Sequence, residues 1–389
     1  MHPMSESSLQ IEVTPTDRPV SDDRLAEILA NPGFGLHFTD HMFVVEWTPA
    51  EGWHDARVTP YAPLSVDPAT AVLHYAQEIF EGMKAYRHDD GSIWDFRPDQ
   101  NAERMIRSSR RLALPELPVE DFVAAVDALV EIDQRWVPDA EGEKSLYIRP
   151  FMIATETFLG VRPSQHVTFM VIASPAGAYF KGGVKPVTLW LTEEYTRAGR
   201  GGMGAAKTGG NYASSLVAQQ EASAHGCDQV VFLDAQEGRY VEELGGMIMY
   251  FVLDDGRIVT PEVGTILEGI TRASIIELAG KLGPQVEERL VSIDEWRSGS
   301  LDGARIAEVF ACGTAAVVTP VGTLRWDGGE VPGSTEAGPV TLAAWIRGHW
   351  EIENKLHRAS KTLRRSMTSR PRCGSGPRGC WAWRQRLSC

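Results

Sequence analysis

Apolar residues recur along this 389-residue chain at two different spacings. Leu25, Ile28 and Leu29 fall on one face of a helix that Ser21 caps, and Gly33 and Gly35 follow as stop signals. Residues 99–113 and 119–136 predict two further helices. In the second, Phe122, Val123, Val126, Leu129, Val130 and Asp133 keep helical spacing until Pro138 ends it. HMFVVEWTP, SIWDFRP, SLYIRPFMIATE and HVTFMVIASP predict strands, the last two half or fully buried by pattern. KPVTLWL, QVVFLD, YFVLDDGRIVTP and RIAEVFACGTAAVVTPV predict strands as well. Between them fall a helix over about 212–224, the helix TRASIIELAGKLG closing on Gly283, and SIDEW, which opens with a capping box from Ser292 to Glu295.

Strands and helices mix without the strict alternation of a doubly wound sheet, so the fold class is α/β of the α+β type. The expected organisation is a flexible arm over 1–20, a small domain over 21–175, and a larger domain over 187–344. The turn-rich segment PAGAYFKGG marks an interdomain loop at 176–186.

Composition narrows the function. Hydrophobic residues at 43% and charged residues at 23% exclude a disordered or collagen-like chain. No apolar run approaches the roughly 18 residues of a membrane span, and the first residues lack the apolar core of a secretory signal. Five cysteines with no C-x-x-C pair build neither a disulfide framework nor a zinc site, so no metal is expected. A cytoplasmic protein is the expectation. The net charge of −14 argues against nucleic acid as a partner. Residues 345–389 contradict this average, with eleven Lys or Arg against two acids and three of the five cysteines.

The stretch AGRGGMGAAKTGGNYASSL, residues 198–216, places one lysine, Lys207, among six glycines and four alanines. Such a density of glycine brings backbone close to something or demands positive φ. Four readings compete. A surface loop is one. Gly199, Gly201 and Gly204 spell a dinucleotide fingerprint, but no buried strand precedes it. Gly201 to Thr208 is one residue short of a P-loop, with Asp234 at the end of a downstream strand as a magnesium carboxylate. The fourth makes Lys207 a Schiff-base lysine, whose amine must be desolvated to be partly neutral.

Five segments then carry a family resemblance: LHYAQEIFEGMKAY, FRPDQNAERM, SLYIRPFMIATE, AAKTGGNYASSL and VEELGGM, with GITR and FACGTAAVVTPV in support. They span about residues 20–344 and resemble the branched-chain amino acid aminotransferases, two-domain enzymes of fold-type IV with the active site between the domains. The resemblance implies pyridoxal 5′-phosphate as cofactor and Lys207 as its Schiff-base and proton-shuttling residue. It implies Glu243 at the pyridine nitrogen, Tyr212 at the ring oxygen, and Arg97, Ile270, Thr271 and Thr314 at the phosphate. Tyr75, Phe80, Tyr147 and Tyr179 would line an aromatic box for the substrate side chain. Arg149 would receive the second carboxylate of 2-oxoglutarate, and Thr314 and Ala315 the α-carboxylate. The implied reaction moves nitrogen from leucine, isoleucine or valine to 2-oxoglutarate, giving glutamate and branched-chain 2-oxo acids, in a homodimer. A D-amino-acid transaminase, an aminodeoxychorismate lyase, an inactive remnant and a P-loop protein are the alternatives.

Three departures stand out. Ile248 replaces the family's usual Asn after VEELGGM, removing hydrogen bonds near Glu243. Glu268 replaces its Pro before GITR, adding negative charge near the phosphate site. From about residue 345 the likeness and the composition fail together. A shifted reading frame would explain both; a genuine basic tail for an acidic partner is the alternative.

Overall fold

A computed structural model describes the chain at residues 7–139, 144–177, 185–314, 317–341 and 356–358. Among these, two mixed sheets form. In the first, Glu12–Val13 lies at one edge, followed by Gly52–Pro60, His41–Thr48, Val167–Ala176, Ser145–Ala154, Met83–Arg87, Ile93–Phe96 and Leu356–Arg358. Glu78–Phe80 pairs on the side with Ser145–Ala154. The second runs Val241–Leu244, Gln229–Leu233, Val187–Leu191, Val317–Trp326, Ala304–Gly313, Ile248–Leu253, Ile258–Pro261 and Val286–Arg289.

The two sheets have separate cores. Helices Pro98–Leu112 and Val119–Ile132 cover the first sheet. Phe122, Val126 and Leu129 pack there with Phe43, Val45 and Phe169 from the strands. The second sheet is buried on both faces, which its sequence records. All six residues of Ile248–Leu253 are buried. Met249, Phe251 and Leu253 join one cluster with Trp296, while Ile248, Tyr250 and Val252 join another with Ile275. A continuous apolar run is what a strand covered on both sides requires.

Most local expectations hold. Ser21 caps the helix Asp22–Ala30 by accepting from the Arg24 N–H, and Gly283 ends the helix Ile270–Leu282. The capping box from Ser292 to Glu295 is formed in both directions. Two helices differ. That expected over 119–136 ends at Ile132 and continues as a 3₁₀ turn, Gln134–Trp136. That expected over 212–224 is two pieces, Gly209–Ala213 and Leu216–Ala224. Ser214 and Ser215 break it by donating their hydroxyls back to the carbonyls of Asn211 and Tyr212.

Candidate active site

Between the sheets lies a cavity of about 330 Å³. The first sheet and its helices supply Phe80, Arg104, Tyr147 and Arg149. The second part of the chain supplies Lys207, Tyr212, Glu243, Ile248, Ile270, Thr271 and Thr314. Tyr179 and Ala315 lie outside the described residues.

Lys207 sits in extended chain just before the helix Gly209–Ala213. Its N–H donates to Ser108 Oγ at 3.0 Å, and its carbonyl accepts from the Phe80 N–H at 2.9 Å. This tether joins the glycine-dense loop to the other sheet and leaves no loop wrapped for phosphates. The P-loop reading fails at its second element too. Asp234 spends its carboxylate on the backbone N–H groups of Gln236, Glu237, Arg239 and Tyr240, ordering a turn. Gly204 serves close packing, since a Cβ there would collide with the Thr265 carbonyl.

The Lys207 ammonium reaches inward, 2.6 Å from the Tyr212 hydroxyl and 4.7 Å from the centre of the Phe80 ring. Burial, with the Arg104 charge nearby, brings its pKa down to about 8. Burial and the charge of Glu243 push the Tyr212 hydroxyl upward, so it stays a neutral phenol. Glu243 is only 2% exposed. Burial raises its pKa, while Arg197, with Nη2 2.7 Å from Oε2, opposes that rise. The approach is not aligned for a hydrogen bond, so this buried oxygen keeps acceptor capacity.

Tyr147 and Arg149 are two apart on one strand and therefore share a face. Arg149 Nη2 donates to the Tyr147 hydroxyl at 3.0 Å, and its guanidinium lies 4.8 Å from the Phe80 ring centre. Its buried Nε has no partner among the described residues. A fork held between two rings with a free N–H is a seat for a carboxylate.

Two predicted residues are elsewhere. Arg97 is not in the cavity. It precedes the helix Pro98–Leu112 with φ at 50°, and its Nη1 donates to Ser274 Oγ at 2.9 Å. Arg104, seven residues on and two turns into that helix, takes the inward position. Its buried guanidinium is clamped by Glu81, Nε to Oε1 at 2.8 Å and Nη2 to Oε2 at 2.7 Å, and Nη1 donates to the Glu268 carbonyl at 3.0 Å. Small neighbours on that face, Asn101, Ala102, Ser108 and Ser109, are the sequence signal for this burial. Tyr75 is the second. It is 36% exposed on the short helix Ala71–Tyr75 and packs on Phe158, 6.4 Å between ring centres. Phe34, which the glycines around it concealed, lines the cavity against Tyr147 instead, 5.1 Å between ring centres.

The two single-residue departures are absorbed. The Glu268 carboxylate points away and pairs with Arg107 at 3.0 Å. Ile248 is buried against Gly269, where a Cβ would fall 2.6 Å from its Cδ1. Gly269 thus lets the helix Ile270–Leu282 start in the cavity wall. The first N–H groups of a helix have no partner in a preceding turn, and with Arg104 beside them they form a cradle for an anion.

The arrangement is a desolvated lysine, a phenol, a buried carboxylate and an anion cradle around one cavity. It is that of a pyridoxal-phosphate enzyme. Residues 78–324 match the family model described as amino-transferase class IV, and the chain belongs to that family. Within it, the chain is 60% identical over 333 residues to the probable branched-chain-amino-acid aminotransferase of Streptomyces coelicolor, covering 85% of this chain and 91% of the relative. It is 54% identical over 345 residues to the branched-chain-amino-acid aminotransferase of Mycolicibacterium smegmatis, covering 87% and 94%. Among solved structures, the branched-chain amino acid aminotransferase of T.th. with pyridoxamine 5′-phosphate superposes with a TM-score of 0.67. It is 29% identical, with 81% of this chain and 98% of that one covered. The Escherichia coli branched-chain amino acid aminotransferase gives a TM-score of 0.66 at 27% identity, covering 81% and 99%. The fold is that of fold-type IV, the chain is an aminotransferase of the branched-chain group, and pyridoxal 5′-phosphate is the cofactor of its class.

Proposed function

We propose that the protein transfers amino groups between leucine, isoleucine or valine and 2-oxoglutarate at this one cavity. The observation that carries the proposal is the meeting of Lys207, Tyr212 and Glu243 with the Arg104 cradle on one side and the Arg149 seat on the other. The residues fit the cofactor: a buried acceptor awaits a ring nitrogen at Glu243, and a helix start with a buried arginine awaits a phosphate.

When bound, pyridoxal 5′-phosphate supplies the carbonyl that exchanges amino groups and the ring that draws electrons from the substrate Cα. The protein supplies the rest. Lys207 Nζ, lowered to about 8, moves a proton to and from Cα. Tyr212 holds that amine in place. Glu243, whose charged form Arg197 favours against burial, holds a proton at the ring nitrogen. Arg104 takes the phosphate role first expected of Arg97, with the N–H groups of Ile270 and Thr271 and with Thr314. Phe80, Tyr147, Phe34 and Ile248 exclude water and take a branched side chain, while Arg149 with Tyr147 receives the second carboxylate of 2-oxoglutarate. Thr314, with Ala315, serves the α-carboxylate, and Tyr179 belongs to the aromatic box for the substrate side chain.

The same reading divides the chain into a domain over 21–175 and one over 187–344, joined at 176–186, which the separate cores of the two sheets support. It also makes the protein a cytoplasmic homodimer. Exposed Leu73, Tyr75, Leu159 and Val161 support a dimer surface. The bridge between Thr70 and Thr157 brings their two segments together. Among the described residues no helix is long and apolar enough to cross a membrane.

The test is amino transfer from L-leucine, L-isoleucine and L-valine to 2-oxoglutarate by the purified protein, with D-alanine as control donor. Glutamate is expected from the three L-amino acids and not from D-alanine, and Lys207→Ala abolishes it. Transfer from D-alanine alone refutes the assignment.

A further inference from the structure

The strand Val241–Leu244 separates two cavities. Glu243 faces the catalytic one. Glu242, the next residue along, faces the other way, as strand alternation requires, and lines a second cleft of about 480 Å³. The cleft floor is the glycine-dense loop 199–205, and its walls include Val263, Ile266 and Leu290. No role in amino transfer falls to it.

Glu242 is 5% exposed. Its Oε1 accepts from the Thr265 hydroxyl, and its Oε2 has no hydrogen-bond partner among the described residues. A buried carboxylate oxygen left without a donor is costly. Burial raises the pKa of this group, and the Thr265 bond and the charge of Arg197 only partly oppose that. The other acids lining the cleft do not compensate. Asp234 is consumed by its own turn, and Glu237 and Glu262 are exposed at the rim. Among the described residues that line it, four carboxylates face a single arginine, the exposed Arg200, so the cleft favours a cation.

The chemistry of that cation follows from the walls. A metal ion needs several ligands, and among the described residues no group of three His, Cys, Asp or Glu side chains could hold one. A single acceptor beside aliphatic walls suits an N–H donor on an apolar stem. We propose that this cleft binds a primary ammonium group carried on a short apolar body, with Glu242 Oε2 as its acceptor and Val263 and Leu290 against its stem. The ligand would sit on the back of the strand that presents Glu243 to the catalytic cavity.

The test is calorimetric titration of the holoenzyme with n-butylammonium chloride, its catalytic cavity saturated with 4-methylvalerate. One saturable site per chain is expected, with n-butanol giving no signal. Glu242→Gln removes the anionic acceptor, and Val263→Trp fills the cleft from its exposed rim without touching Glu242. Each should weaken binding by about tenfold or more. No binding by the wild type, or binding unchanged in Val263→Trp, overturns the proposal. If Glu242→Gln fails to fold, Val263→Trp decides alone; if it folds and binds as the wild type does, the proposal also falls.

Discussion

Lys207 Nζ and the Tyr212 hydroxyl lie 2.6 Å apart at the centre of the catalytic cavity. The two groups are pushed in opposite directions by the same burial, the amine down to about 8 and the phenol upward. At neutral pH roughly a tenth of the amine is uncharged, against well under a thousandth for an ordinary lysine. The phenol stays neutral and holds the amine in place in either protonation state.

This makes cofactor loading pH-dependent. The neutral amine is the reactive form, and it accumulates as pH rises through the lowered value. The rate at which the apoprotein gains its visible absorption with pyridoxal 5′-phosphate should therefore rise from pH 6 and level off above about 8. A rate still climbing steeply at pH 10 would mean that the amine is not desolvated. Tyr212→Phe should retain the fold and lower turnover about tenfold or more, since the amine loses its hydroxyl anchor in the cavity.

Arg104 and Arg97 can be told apart by cofactor affinity. Arg104→Lys keeps a charge opposite Glu81 but loses the fork. Its dissociation constant for pyridoxal 5′-phosphate, read by absorbance titration, should rise about ten- to a hundredfold. Arg97→Lys should change it by no more than about threefold, because its partner is Ser274 and it does not line the catalytic cavity. A large loss at Arg97 and none at Arg104 would return the phosphate to the site first expected.

Arg149 separates the two half-reactions. Arg149→Met keeps the apolar packing between Phe80 and Tyr147 and removes the free N–H groups. The kcat/KM for 2-oxoglutarate should fall by about a hundredfold or more, while that for leucine falls far less. Equal losses for both substrates would mean that Arg149 supports the cavity as a whole.

The apolar surface around Tyr75 offers a test of assembly. Leu73 and Val161 are both exposed in the single chain. Leu73→Glu together with Val161→Glu should shift the sedimentation coefficient from dimer to monomer without loss of secondary structure. An unchanged dimer places the interface elsewhere.

Where a single local rule decides, the sequence was read correctly. Ser21, Gly283 and the Ser292–Glu295 box bound their helices as caps do, whereas YFVLDDGRIVTP holds parts of two strands, Ile248–Leu253 and Ile258–Pro261, with a turn between them. The bed of small residues singles out Lys207 but leaves four readings of it open, and the family resemblance chooses among them. Arg97 lies outside the cavity, and nothing local distinguishes two arginines that stand two turns apart. The left-handed backbone before Pro98 turns the first away, and only the packed helix shows that the second meets Glu81. Tyr75 lies outside the cavity of the single chain, and whether a ring faces a cavity is a property of the packed elements. The strand Gly52–Pro60 escaped notice because only Ala56 and Val58 in it are buried, too few to make a period.

The most direct measurement is the visible absorption spectrum of the purified protein, taken before and after L-leucine and again after 2-oxoglutarate. The account predicts a yellow band that shifts on leucine, returns with 2-oxoglutarate, and is missing in Lys207→Ala. A protein that remains colourless with added pyridoxal 5′-phosphate, or a band that leucine leaves unmoved, would contradict it.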